Sequence, residues 1–320
     1  MLTGLPNELL QVFDRSITTE YVTVDKRGQP IAWPVTPYFH PEAGCIDVST
    51  GLGYPKKAHD ARGNPRVALL FSDATGSGLD DPPMVLVQGT AAVDDRDLDA
   101  NRERFARESA AKLPAARSRL PAALRRLLDW YYTRIYVHVR PERIYLWPHA
   151  DPEAEPELLD AHVDEVRSGH NEEPEEPPPP PEGGLDRWHP RLDELGREYR
   201  TGVVSVVGPD GFPFAVRVPV RADRAAGVVR LDADPVGAPL EPGLACVTAH
   251  VHAPDFTWHR NFQVRGDLAE EDGRWVLHPH RVVDGFELPP GSLVDRWRPY
   301  ARKAPRMRRT AKAERARRAR

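Results

Sequence analysis

The chain has 320 residues, enough for two domains of ordinary size, with 40% hydrophobic and 29% charged residues. That balance suits a globular core, and no apolar run approaches the ~18–20 residues of a membrane-spanning helix. Formal net charge is −4 and the only cysteines are Cys45 and Cys246, each inside an apolar stretch, so they read as small buried hydrophobes and not as a disulfide framework or a zinc site.

In chain order, Leu5, Leu9, Leu10 and Phe13 give an amphipathic helix. The first residues lack the basic-then-apolar layout of a signal peptide, and a reducing cytoplasm is the expected compartment. Tyr21–Val24 reads as a strand entering the turn Asp25-Lys-Arg-Gly28. The return, Pro30–Phe39, is interrupted by Pro34 and Pro37, which cannot donate to a ladder, so an edge or bulge is expected there. Gly44–Ser49, Arg66–Phe71 and Met84–Val93 read as further strands. From about Asp94 to Asp129 the period becomes helical (Leu98, Arg102, Phe105, then Leu124, Leu127, Leu128), with breaks near Pro114 and Pro121. Tyr131–Val139 and Arg143–Trp147 return to strand. Strands without βαβ alternation, and no glycine fingerprint, predict a mainly antiparallel barrel with helices (α+β) and exclude a Rossmann sheet.

Residues 1–150 form the first domain of this reading and 151–184 an acidic, proline-rich linker ending in a polyproline II run. Residues 185–298 form the second domain and 299–320 a basic tail. The last twenty residues hold ten Lys or Arg against one Glu. The tail reads as a solvated, partly disordered extension, and contact with nucleic acid is expected only there. Beyond the linker the first layout recurs. Leu192–Tyr199 reads as a helix, Val203–Val207 as a strand and Gly208–Gly211 as a turn. Gly28-Gln-Pro-Ile-Ala matches Gly211-Phe-Pro-Phe-Ala, and Val87-Gln-Gly matches Val264-Arg-Gly. Two copies of one barrel are expected.

The chemistry concentrates between Ser49 and Asp73. A phosphate needs fixed cations together with hydroxyl or backbone N–H donors, and Thr50, the Gly51–Gly53 turn and Lys56/Lys57 at a helix start offer all three. Taken alone, a solvated lysine pair explains the same residues. The ordered run Gly28-Gln-Pro30, Pro34-Val35, Ser49-Thr50-Gly51, Lys56-Lys57, Asn64–Leu69 and Val85–Ala91 resembles the pyridoxamine 5′-phosphate oxidase-like superfamily, the flavin- and deazaflavin-dependent split β-barrels. The resemblance implies two FMN-binding-type split barrels in tandem. It implies that Lys57, with Lys56, Ser49, Thr50 and Gly51, takes a cofactor phosphate, and that the backbone of Trp33, Pro34 and Val35 faces the flavin ring. Pro83-Met84 stands where the oxidases proper carry Arg-Gln, so true pyridoxamine phosphate oxidation is not expected.

The second copy has Asp234–Leu240, without a cation, in place of the lysine turn. At the position of Pro83-Met84 it carries Arg260 and Asn261, following Trp258 and His259. These are expected to reach across to the first copy's cofactor in an intramolecular pseudodimer, with a homodimer as the other arrangement. His250/His252 and His278/His280 each put two imidazoles on one strand face, but no third ligand follows from the spacing, and no metal is expected. Three functions stay open: a flavin-dependent oxidoreductase of a small molecule using FMN or a deazaflavin coenzyme, a non-catalytic flavin-binding protein, and a degenerate interaction module. No catalytic residue is assigned.

Overall fold

The computed structural model describes residues 4–115, 128–160, 187–291 and 293–318, with residues 2 and 185. The expected helix at Leu124–Leu128 and the polyproline run lie almost wholly outside these.

The first half opens with α1 (Asn7–Arg15), which buries Leu9, Val12 and Phe13. Its strands are β1 (Thr19–Val24), β2 (Pro30–Val35), β3 (Tyr38–His40), β4 (Cys45–Gly51), β5 (Arg66–Phe71), β6 (Met84–Asp94), β7 (Arg134–Trp147) and β8 (Glu157–Asp160). They form one eight-stranded sheet in the order β2-β1-β5-β6-β7-β4-β3, with β8 on β7. Helices α2 (Lys56–Gly63), α3 (Leu98–Lys112) and α4 (Asp129–Tyr132) pack on it together with α1. The β1–β2 turn forms as the sequence predicts. The Asp25 carboxylate accepts from the Arg27 and Gln29 N–H groups, and Gly28 takes the left-handed φ of 75° that glycine tolerates.

The second half contains β9 (Thr201–Val207), β10 (Pro213–Asp223), β11 (Val228–Leu231), β12 (Gly243–His252), β13 (His259–Glu271) and β14 (Arg274–Asp284). They close into a barrel in the order β10-β11-β14-β13-β12-β9. Strand β10 is continuous: Pro213–Pro219 pairs with β9 and Val220–Asp223 with β11. In the first half those two tasks fall to β2, which pairs with β1, and to β3, which pairs with β4. Thr36-Pro37 separates them, as expected of a residue without an N–H to donate.

A shared irregularity ties the copies together. In β6 the register slips between Gln88 and Gly89, and in β13 between Arg265 and Gly266. A Cβ on Gly89 would lie 2.1 Å from the Arg140 carbonyl oxygen, and one on Gly266 would lie 2.1 Å from that of His278. In both copies a proline follows that carbonyl residue, Pro141 and Pro279. The bulge therefore uses the same glycine and the same opposing proline corner twice.

The two halves pack through apolar faces. Val22, Ala32, Ala68, Leu70, Leu86 and Trp147 of the first share one buried cluster with the second half's core. The first barrel keeps its own interior, which includes Leu9, Phe13, Tyr21, Leu52, Leu69, Val87 and Ile144.

Three segments differ from the sequence reading. Leu192–Tyr199 is not an α-helix but begins with the 3-10 turn Pro190–Glu194, tied down by Trp188 Nε1 donating to Asp193. The stretch after 150 is not all linker, since Glu157–Asp160 pairs with β7. The basic tail is not a solvated extension: it forms α5 (Leu293–Arg318) and docks on the first barrel. Met307 packs against Gly53, and Ala311 is buried in the first barrel's cluster. Glu314 accepts from Arg317 and Arg318 and meets His59 of α2 at 3.0 Å. Arg315 reaches Asp129 at 2.7 Å, and Arg318 reaches Asp95 at 2.6 Å. Met307, Ala311 and Glu314 recur at helical spacing, so one face of an otherwise basic helix is made to dock. No described helix is long and apolar enough to cross a membrane.

Candidate functional site

The segment between β4 and α2 turns at Gly51–Tyr54 because the backbone there is crowded by α4. A Cβ on Gly51 would stand 2.9 Å from the Trp130 carbonyl oxygen, so only glycine fits. Thr50 is buried and its hydroxyl donates to the Tyr54 carbonyl at 2.9 Å, which locks the turn. Ser49 pairs with Tyr136 across β4 and β7.

The two lysines at the start of α2 divide. Lys56 is exposed and bound to Asp60 at 2.8 Å and Asp25 at 3.7 Å, so its charge is already matched. Lys57 points the other way, over the Trp33 ring at 5.8 Å, and no described carboxylate pairs with it. Burial, and then the nearby charge of Arg134, bring its ammonium down to about 8.

Arg134 is the residue that the sequence reading missed. It opens β7 directly opposite Gly51 and is only 7% exposed. Its guanidinium lies 4.0 Å from the Phe105 ring centre and 4.3 Å from that of Tyr131, a cation–π sandwich. Tyr38, Tyr54 and Tyr136 surround it, and its Nε is buried without a partner. A buried cation normally meets a carboxylate or sheds its charge, and arginine cannot shed it. Two neighbouring cations, neither with a described carboxylate, and an orphaned N–H between aromatic walls fit a buried anion. The signal in the sequence was an arginine inside Tyr131-Tyr-Thr-Arg-Ile-Tyr136, which reads as ordinary strand.

From the second half, Phe286 stacks on Tyr131 with ring centres 5.5 Å apart and planes 17° apart. Phe286 also lies beside His259 and Tyr54. The second copy thus does reach this site, but through other residues than those expected. Arg260 is held inside its own half by Glu198 at 2.8 Å and Glu194 at 3.1 Å. Asn261 is buried and donates to the Phe286 carbonyl. Trp258 is half-buried in the turn before β13. The backbone near Trp33–Val35 also turns partly toward the second copy: the Ala32 carbonyl accepts from Gln263 at 2.6 Å and from Thr248 at 2.9 Å. Pro34 and Val35 end β2 opposite Glu20 and Thr19.

A second polar cluster lies between the halves. Glu20, fully buried, accepts from Ser72 at 2.7 Å and from Arg217 at 3.2 Å and touches His250. His252 lies 3.4 Å from Asp73 and 3.2 Å from the Thr18 hydroxyl. The His250 and His252 rings are parallel, 6.4 Å apart, as the i, i+2 spacing predicts. Against the cost of burial, Arg217, His250 and His252 hold Asp73 down at about 2. Burial, in turn, lowers His252 despite that carboxylate. Every charge here has a partner from the other half, which makes it a joint between barrels and not a vacant site. His278 and His280 pair instead with Glu271 and Asp267 within the second barrel.

No family model matches this chain, and no curated protein does. Among solved structures it is similar to an F420 reductase, with 16% identity over 44% of this chain and 98% of that one, at a TM-score of 0.34. It is similar also to a protein related to general stress protein 26, of the pyridoxinephosphate oxidase family, from Clostridium acetobutylicum (14% identity, 48% and 92% covered, TM-score 0.34). A third is the haem storage protein HutZ from Vibrio cholerae (14% identity, 45% and 94% covered, TM-score 0.33). The two-barrel architecture itself rests on strand order and register.

Proposed function

Starting from a tandem pair of split β-barrels of the pyridoxamine 5′-phosphate oxidase-like kind, the degenerate copy second, we propose that the first barrel binds a phosphate-bearing flavin. We take that flavin to be FMN, and the chain to be a flavin-dependent oxidoreductase of a small molecule. The observation that carries this reading is the Lys57–Arg134 pair: two buried or half-buried cations, with no described carboxylate to match them, Lys57 over the Trp33 ring and Arg134 between Phe105 and Tyr131. Lys57 and Arg134 hold the phosphate, and Trp33 borders the route from it toward β2. Lys56 is left to fasten α2 to the β1–β2 turn. A bound flavin supplies the hydride chemistry at its own ring, and the chain binds, orients and shields it. Phe286 and α5 cover this edge and keep water from it. The second copy has no cation in Asp234–Leu240, so one cofactor per chain is expected.

The test is a visible spectrum and a binding titration of the full chain with FMN, riboflavin and a deazaflavin coenzyme, alongside Lys57→Ala and Arg134→Ala. A charge-assisted hydrogen bond contributes about 1.5–3 kcal/mol, so each variant should weaken FMN about 10- to 100-fold while leaving riboflavin nearly unchanged. FMN affinity that ignores both substitutions, or no binding of any flavin, defeats the reading. Flavin binding without substrate-dependent turnover leaves a cofactor-binding protein.

A further inference from the structure

The face of β7 that carries Arg134 continues through Tyr136 to His138, and its far end holds a cluster that flavin binding does not use. Cys45 and Asp47 alternate onto one face of β4, and His138 stands directly opposite Asp47 on β7. The Cys45 thiol donates to Asp47 Oδ1 at 3.3 Å, and His138 Nδ1 lies 2.8 Å from the same oxygen. One ligand atom from each of the three lies within 4.8 Å of the others. Asp47 is 1% exposed and Cys45 7%.

We propose that Cys45 Sγ, Asp47 Oδ1 and His138 Nδ1 form a binding site for a divalent transition-metal ion of the Zn2+ class, with the fourth position open to water. The site is independent of the flavin reading.

Four observations support it. A thiolate, an imidazole and a carboxylate together make a donor set that suits a borderline-soft tetrahedral ion and not a hard one such as Mg2+. Ligand atoms around such an ion, each at ~2.0–2.3 Å from it, sit roughly 3.3–3.7 Å apart. The Cys45–Asp47 spacing already meets this, and His138 has to open by about half an ångström. The ligands also rest on two paired strands and have supporting partners, as metal ligands do. His138 Nε2 lies 3.9 Å from Asp94, beyond hydrogen-bond reach until the imidazole turns toward the ion, when Asp94 can accept from it and leave Nδ1 free to coordinate. Asp47 Oδ2 is engaged by Arg104, whose Nε donates to Glu108 at 2.7 Å, so Oδ1 alone faces the site. Finally, the charges balance. The Cys45 thiolate and Asp47 neutralise the ion, while Arg104 and Glu108 neutralise each other. Ion binding releases the thiol proton to solvent, and nothing is oxidised or reduced. His40 Nε2 lies 3.7 Å from Asp47 Oδ2 but is taken by Arg104 at 2.9 Å, so it is not counted as a ligand.

The experiment uses the full chain stripped with a chelator and titrated with Co2+. The expected result is tetrahedral cobalt bands with a thiolate charge-transfer absorption, saturating at one ion per chain and displaced by Zn2+. The Cys45→Ser and His138→Ala variants should lose the signal with an unchanged far-ultraviolet circular dichroism spectrum. Asp94→Asn, which alters only the supporting carboxylate, should weaken Co2+ about 10- to 100-fold. His278→Ala, in the second barrel, should change nothing. Zn2+ should also slow alkylation of Cys45. Absence of the charge-transfer band, its survival in Cys45→Ser, or its equal loss in His278→Ala overturns the site and leaves a hydrogen-bonded network under α3.

Discussion

The two barrels share a strand plan and a bulge, and they differ where the first has an opening. In the second, β10 runs unbroken from Pro213 to Asp223 and closes the sheet on itself. In the first, Pro37 divides the same path into β2 and β3, and α2, with its lysines, follows β4. At the equivalent place the second copy has a cation-free loop whose Val236 N–H donates to the Pro152 carbonyl. One copy has become a closed support, and the other has kept an edge where two cations lack carboxylates. The proposed binding site therefore lies in the half whose strand path is interrupted, beside a half that closes on itself.

Experiments can break this contrast. The largest effect is expected at the joint: Arg217→Ala leaves Glu20 and His250 buried without their cation. Breaking a buried pair costs about 3–5 kcal/mol, so calorimetry should show one transition for the unaltered chain and two for the variant. A single unshifted transition would show that the apolar faces alone join them. Next, Gly89→Ala and Gly266→Ala should each destabilise by about 2–4 kcal/mol, because each forces a Cβ onto a carbonyl oxygen. Clearly unequal losses would argue that the bulges do not play the same part in the two copies. Smaller again is the pH dependence of the open edge. Lys57 is a cation with a depressed value, charged below about 8 and neutral above it. The preference for FMN over riboflavin should therefore fall about tenfold as pH rises through that value, and should stay flat in Lys57→Ala. The smallest effect concerns α5. Against the cost of burial, Arg317, His59 and Arg318 hold Glu314 down at about 2. For a depressed carboxylate the contribution is complete above its unfolded value of about 4.3 and is lost as pH falls toward the folded one. Loosening of the helix, read by Trp130 fluorescence, should begin only below about pH 4, and Glu314→Gln should be loosened at every pH with that acid step gone.

Much of this was legible in the sequence, for identifiable reasons. Strands such as Arg66–Phe71 announce themselves by β-branched and apolar runs, and turns such as Asp25–Gly28 by residues that tolerate left-handed backbone. Lys57 could be proposed from the sequence because a local motif places it at a helix start. Arg134 could not, because its place beside Lys57 depends on pairing with Gly51, about eighty residues away in sequence, and strand register is not written locally. Arg260 was misplaced for a related reason: its neighbours Glu194 and Glu198 lie in a segment read as a helix, and their carboxylates capture it before it can cross. The tail was misread through its average charge. The informative residues were the exceptions, Met307, Ala311 and Glu314, which mark the docked face.

The docking of α5 also has a consequence for the order in which the protein is built. Phe286, Leu288, Met307 and Ala311 belong to the apolar cluster of the first barrel, yet the ribosome makes them after both barrels. Until they are made, the first barrel's cluster lacks its cover at Gly51–Tyr54. The half encoded first is therefore completed by residues encoded after the second.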